Sequence, residues 1–184
     1  SMDCSVCDDC ALRLFNSKGH NIQGIGTALY GNMIILPYID KSAYKLQRLD
    51  YSKLVSILCD SSMGEIPINY AYITSIIKCR ETINLEMTDD IRNRCITYLT
   101  KEVIEFKPRT ILCLGNAAYQ LFNVPVSKLI DKIIVSNGII YFFNYSPGVE
   151  KFDADKFEEF KQHYAKYYSA IKNKNYYGYE IIKV

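Results

Sequence analysis

Pro108-Arg-Thr-Ile-Leu-Cys-Leu-Gly115-Asn-Ala-Ala118 contains a short, mainly apolar run, Thr110–Leu114, that stops at a glycine and continues into small residues. A short run of this kind, without alternation, suits a strand covered on both faces, as in a parallel sheet. Two further runs read the same way: Asn32–Leu36, which ends at Pro37, and Tyr70–Ile77. Between them, Lys41–Leu58 and Thr88–Phe106 carry helical spacing. Thr88 is placed to cap the second helix, with Asp89 and Asp90 favourable to its dipole, and Ile91, Cys95, Tyr98, Leu99 and Glu102 share one stripe. Further on, Ile133–Val135 and Ile139–Asn144 flank Ser136-Asn137-Gly138, which predicts a hairpin through an Asn-Gly turn. Asp153 then caps a helix running to about Ala170, with Phe157, Phe160, Tyr164, Tyr167 and Ile171 on its apolar stripe. Alternating strands and helices predict a three-layer α/β/α sandwich with right-handed crossovers.

With 184 residues, 49% of them hydrophobic, and no internal repeat or Pro/Gly linker, residues 1–184 are expected to form one domain with a real core. Ser1 ahead of Met2 reads as a tag remnant. The absence of a signal-peptide core or a membrane-length apolar run predicts a cytoplasmic protein, in which thiols stay reduced. The net charge of +2 does not announce nucleic acid by itself. It is unevenly spread, however: residues 161–184 carry five lysines against Glu180 alone, interleaved with six tyrosines and His163. The abundance of Ile, Lys, Asn and Tyr is that of an AT-rich genome, which weakens arguments from tyrosine count alone.

Seven cysteines in a reducing compartment point to metal or core, not to bridges. Cys7 and Cys10 form a C-x2-C pair, and Cys79 and Cys95 form a C-x15-C pair mid-chain. A Cys4 set suits either tetrahedral zinc or an iron–sulfur cluster. Cys59 and Cys113 lie in apolar runs and read as buried small hydrophobes.

Tyr72-Ile-Thr-Ser-Ile-Ile-Lys-Cys79-Arg80, followed by Cys95 and then by Lys107-Pro108…Leu114-Gly115, resembles the iron–sulfur family of uracil-DNA glycosylases. That family carries a CxxCxL pair, a cysteine in YITNxVKCRP, another sixteen residues on, and a KPxxIxxLG strand. The resemblance is strong over roughly residues 68–122 and thin elsewhere. It implies a sandwich around a central, mainly parallel four-stranded sheet, and a [4Fe–4S] cluster on Cys7, Cys10, Cys79 and Cys95, with structural zinc as the alternative. Cys10-Ala-Leu12 supplies the CxL tail and favours Cys7/Cys10 over Cys4/Cys7 as the first pair.

The same resemblance locates three positions where family chemistry should stand. The family's GExPG loop corresponds to Leu36-Pro-Tyr-Ile-Asp40, which lacks both glycines and displaces the acid to Asp40. The base-reading Asn of YITN corresponds to Ser75, which cannot present the paired donor and acceptor of an amide. The His of the HPA motif falls on Ser146, with Pro147 keeping the register. The family's stacking aromatic, in a GRPFVG segment, has only Tyr44 as a counterpart. Loss of a single oxyanion donor typically costs about 10²–10³ in rate. His20 and His163 lie elsewhere and are expected at the surface. Gly24-Ile-Gly26 and Gly115-Asn-Ala-Ala lack the full strand–GxGxxG–helix context of a dinucleotide site, although a helix opening at Gly115 is suited to meet a phosphate.

These readings predict a catalytically degenerate, DNA-binding accessory protein that partners a DNA polymerase or another replication or repair protein. Small divergent glycosylase-like proteins of staphylococcal mobile elements, which bind a polymerase and help it to prime, are the specific resemblance. Two alternatives stand beside it. One is an active glycosylase of altered base specificity using Asp40 or Ser146 in new roles, and the other is a purely structural protein-interaction module. Single-stranded DNA contact is expected at Lys166, Lys172, Lys174, Tyr176 and Tyr177, where lysines meet phosphates and tyrosine faces stack on bases. The segment from Asn173 to Val184 either docks on its own sheet or adds a strand to a partner.

Overall fold

The computed structural model describes residues 7, 9–11, 23–38, 44–45, 48–49, 52–79 and 88–183. In chain order the elements are β1 (Ile25–Gly26), β2 (Asn32–Leu36), β3 (Tyr44–Lys45), β4 (Arg48–Leu49), α1 (Ser52–Ser61), β5 (Tyr72–Ser75), α2 (Asp89–Phe106) and β6 (Thr110–Leu114). There follow α3 (Ala117–Phe122), β7 (Lys132–Ser136), β8 (Ile139–Asn144), α4 (Ala154–Asn173) and β9 (Glu180–Lys183). No helix among the described residues is long and apolar enough to cross a membrane.

Side-chain alternation along the central strands divides the core in two. Met33 and Ile35 of β2 and Ile111 and Cys113 of β6 face the layer formed by α2 and α3, where they meet Cys95, Tyr98, Leu99, Ala117 and Ala118. Ile34, Leu112 and Leu114 face the opposite layer, against Leu58 of α1 and Phe160, Tyr164 and Tyr167 of α4. The expected three-layer sandwich is therefore present. Helix α2 begins where its signals place it: the Thr88 hydroxyl accepts from the Ile91 N–H at 3.3 Å, and the whole expected stripe is buried. Asp153 caps α4 through the Lys156 N–H at 3.0 Å, and the helix runs three residues past Ala170. Asn137 and Gly138 both adopt positive φ, 51° and 76°, as the primed turn between β7 and β8 requires.

The sheet differs from expectation in size. It has seven strands in the order β1-β5-β2-β6-β8-β7-β9, not four. The four-stranded core is real: β5, β2, β6 and β8 run parallel. To it are added β1, antiparallel to β5, then β7, antiparallel to β8, and β9, parallel to β7. An uncovered parallel core would present two open edges, and these strands cover them. The two-residue β1 leaves no periodic trace in the sequence. It depends on Gly26, whose φ is 101° and where any Cβ would lie 2.2 Å from the Ala71 carbonyl oxygen. A second correction concerns Lys41–Leu58: helix α1 starts only at Ser52, and β3 and β4 pair antiparallel before it. Asp50 and Ser52 compete for backbone hydrogen bonds inside a helix and favour its start.

Strand β9 adds to the outer edge of β7. Glu180 N–H donates to the Asp131 carbonyl at 3.0 Å, and the rings of Tyr176 and Tyr179 pack on Phe142 at 5.9 and 5.2 Å. Self-docking is thus the outcome for the segment after α4. Tyr179→Ala should destabilise the fold by about 2–4 kcal/mol, below the ~3–5 of a fully buried aromatic because Tyr179 is half-buried. Removal of residues 176–184 should cost more, both measured by thermal melting of the circular dichroism signal.

Candidate metal centre and the carboxyl-end crevice

The four parallel strands end on one side of the sheet. The chain passes from β2 to β5 on one flank and returns to β6 on the other, so strand order reverses between β2 and β6. Ligands of open α/β sheets bind at such a switch point. Here it is rimmed by Leu36-Pro37-Tyr38, Ser75, Gly115 and Ser146. Pro37 and Leu36 are tied down, their carbonyls accepting from Ile77 and Ile76 at 3.2 and 2.9 Å. The Ser75 hydroxyl is buried and donates to the Ile77 carbonyl at 2.7 Å, so its one proton is spent inside the loop. Ser146 is exposed and accepts from the Gly148 N–H at 3.2 Å, capping the 3-10 turn Pro147–Lys151. Gly115, at φ 56°, lies so close to Ser146 that a Cβ there would stand 3.0 Å from the serine Cβ. The structure brings Ser75 and Ser146 to one edge of the sheet.

Asp40, His20, Cys4 and Leu12 lie outside the described residues, as does the side chain of Tyr44. His163 lies partly exposed on α4: its ring is 6.0 Å from that of Tyr145, and Nδ1 is 3.6 Å from Asp131. Cys113 is the buried small hydrophobe expected, and burial pushes its thiol up; Cys59 is half-buried.

Cys7, Cys10, Cys79 and Cys95 are all buried in the apolar core between the sheet and α2, each at most 4% exposed. The C-x2-C pair sits on a turn closed by Cys10 N–H donating to the Cys7 carbonyl at 3.0 Å. Arg94, beside Cys95, holds that segment through Asp9 at 2.5 Å and is itself anchored by Asp90 at 2.9 Å. Burial pushes the Cys95 thiol up to about 11; the Lys78 backbone hydrogen bond opposes this, and the charges of Cys7 and Cys10 add to it. Three of the four thiols therefore lie within electrostatic reach of one another. Among the described residues, no group of three or more His, Cys, Asp or Glu side chains is set to hold a single metal ion.

Next to these cysteines lies a buried polar network that the sequence reading did not single out. Lys78 and Glu102, 1% and 2% exposed, form an ion pair that bridges the end of β5 to α2. Tyr72 and Thr74 hydroxyls donate to the Glu102 carboxylate at 2.7 and 2.9 Å, and Lys78 donates to Thr74 Oγ1 at 2.5 Å. Burial pulls the Lys78 pKa down, while Glu102 holds the charge in place. The signal was a glutamate on an otherwise apolar helical stripe.

The residues expected to contact DNA separate into two groups. Lys166 is engaged within the fold, bonded to Asp131 at 2.7 Å and the Gly178 carbonyl at 2.5 Å, with Nζ 4.2 Å from the Tyr179 ring centre. Tyr176 is half-buried against Phe142. Lys172, Lys174 and Tyr177 are exposed, the last at 97%. They stand at the far end of α4, whose 20 residues span about 30 Å from the crevice side.

Glu102→Gln leaves the buried Lys78 ammonium without its counter-charge and should cost about 3–5 kcal/mol. Lys78→Met combined with Glu102→Leu, which removes both charges, should cost clearly less. Chemical denaturation of the single and double variants measures the difference.

Residues 36–171 match the family model of the uracil DNA glycosylase superfamily. A curated protein from Archaeoglobus fulgidus named Type-4 uracil-DNA glycosylase is 37% identical over 54 residues, covering 29% of this chain and 27% of that relative. The aligned part is thus about a quarter of the relative's length. The family match extends over most of the chain and contains β5, α2, β6 and β8 and nearly all of α4. With the parallel core, the switch-point crevice and this match in agreement, the chain belongs to the uracil DNA glycosylase superfamily.

Proposed function

We propose that this chain is a single glycosylase-like domain, cytoplasmic and without base-excision activity of its own, which binds DNA as an accessory to a DNA polymerase or another replication or repair protein. The observation that carries this reading is the chemistry at the carboxyl ends of the parallel strands. Excision requires a group that reads the flipped base and a donor that stabilises charge as the glycosidic bond breaks. Ser75 spends its proton on Ile77, Ser146 stands as a turn cap, and Pro37 and Tyr38 occupy the loop after β2. None of these presents an amide edge or an imidazole.

Cys7, Cys10, Cys79 and Cys95 are the residues to hold a metal group. Their buried, all-sulfur donor set fits a cluster chemically. Four thiolates alone suit either [4Fe–4S] or tetrahedral zinc, and the resemblance to the iron–sulfur glycosylases favours the cluster. When bound, such a group supplies a redox centre and covalent ties from the N-terminal turn to the end of β5 and to α2. The chain's own part is to shield it: Ile77, Ile91 and Leu99 exclude water, and Arg94 clamps Asp9 over the C-x2-C turn.

Uracil- and hypoxanthine-containing oligonucleotides, single- and double-stranded, should remain uncleaved after multiple-turnover incubation and alkaline treatment. Excision by the wild-type protein would overturn the inactive reading in favour of an enzyme of altered specificity.

Binding to single-stranded DNA should be weak and salt-sensitive, carried on α4 by Lys172 and Lys174 with Tyr177 as a stacking face. Charge reversal of both lysines should weaken binding and flatten the slope of log K against log salt by about 1.4, as two released counterions require. Tagged protein recovered from its host at moderate salt should bring down a polymerase or another replication protein, and primer formation by that polymerase should depend on the chain. Unchanged DNA affinity in the variant moves contact to the crevice, and recovery without any replication or repair protein removes the accessory role.

A further inference from the structure

Helix α2 carries a second polar group toward the cysteines. Tyr98 lies one turn beyond Cys95, on the same face of the helix, and its side chain is fully buried. Its hydroxyl stands 3.0 Å from Cys7 Sγ. A buried tyrosine aimed at a sulfur, beside Ile77, Ile91 and Leu99 and near the Lys78–Glu102 pair, places a hydroxyl donor where a thiol is to carry charge. While Cys7 is a neutral thiol, either partner can donate. A metal-bound thiolate has no proton, so the hydroxyl then becomes the donor and the bond becomes charge-assisted. The same helix thereby supplies both a ligand, Cys95, and the group that orients a ligand from another segment, Cys7.

We propose that Tyr98 is a positioning residue for the metal centre: its hydroxyl donates to the Cys7 thiolate, fixes the direction of that ligand from the N-terminal turn, and raises the reduction potential of the bound cluster by drawing charge from the sulfur. Hydrogen bonds to ligand sulfurs are among the factors that set cluster potentials, and outer groups that orient ligands commonly govern metal retention. This inference rests on the proposal that Cys7, Cys10, Cys79 and Cys95 hold an iron–sulfur cluster.

The test uses the full chain purified without oxygen, with iron and sulfide content and the electrochemical reduction potential as readouts. Wild-type protein should contain iron and sulfide. Tyr98→Phe should lower the potential by about a tenfold change in the reduction equilibrium, ~59 mV for one electron, and should lose iron faster to a chelator. A 3-fluorotyrosine at position 98, a stronger donor of nearly the same shape, should shift the potential upward. This opposite sign is not expected of a side chain that only fills space, and the fluorinated variant gives the answer even where Tyr98→Phe does not fold. Wild-type protein lacking iron and sulfide overturns the cluster and this inference together. Protein that holds the cluster with the same potential in wild type and in the fluorinated variant overturns the role of Tyr98 alone.

Discussion

Strand β6 is buried at all five of its positions, so its backbone polar groups can be paired only by neighbouring strands. That requirement organises the molecule. It places β2 on one side and β8 on the other, both parallel, and parallel neighbours can be reached only by long crossovers. The crossovers become the helices, and the alternation of Ile111, Leu112, Cys113 and Leu114 decides which helices lie on which face. The crevice at the strand ends follows from the same geometry.

What the residues disclosed tracks how locally each feature is determined. Strands β2 and β6, the caps at Thr88 and Asp153, and the turn at Asn137-Gly138 are each fixed by a few neighbouring residues and were readable. The edges were not. Strand β1 pairs through a two-residue segment beside Gly26, and β9 through Glu180–Lys183 against a strand distant in sequence. Nothing in either segment's own pattern specifies its partner. The start of α1 was misread because polar spacing alone does not distinguish a helix from a short hairpin, whereas the Asp50–Ser52 punctuation does.

The site was legible in the same uneven way. The four cysteines singled out by their spacing are all buried, and the serines lie at the carboxyl ends of the parallel strands. The Lys78–Glu102 pair escaped notice because its partners come from β5 and α2, and only the fold brings them together. The ties of Lys166 to Asp131 and Gly178 were invisible for the same reason: composition does not distinguish a lysine free in solvent from one bonded within the fold. Burying an ion pair next to the thiols instead of an apolar pair adds little net stability, but it ties the end of β5 to α2 in one register.

Strand β9 gives the fold a temporal order. Lys132 pairs with Glu180, so the outer edge of β7 stays open during synthesis until α4 and the residues after it have left the ribosome. Through that interval the nascent sheet offers Ile133, Ile134 and Val135 along an unprotected edge, the kind of surface that invites pairing with another chain. A partner or chaperone present at translation would meet this protein with an open edge that β9 later covers.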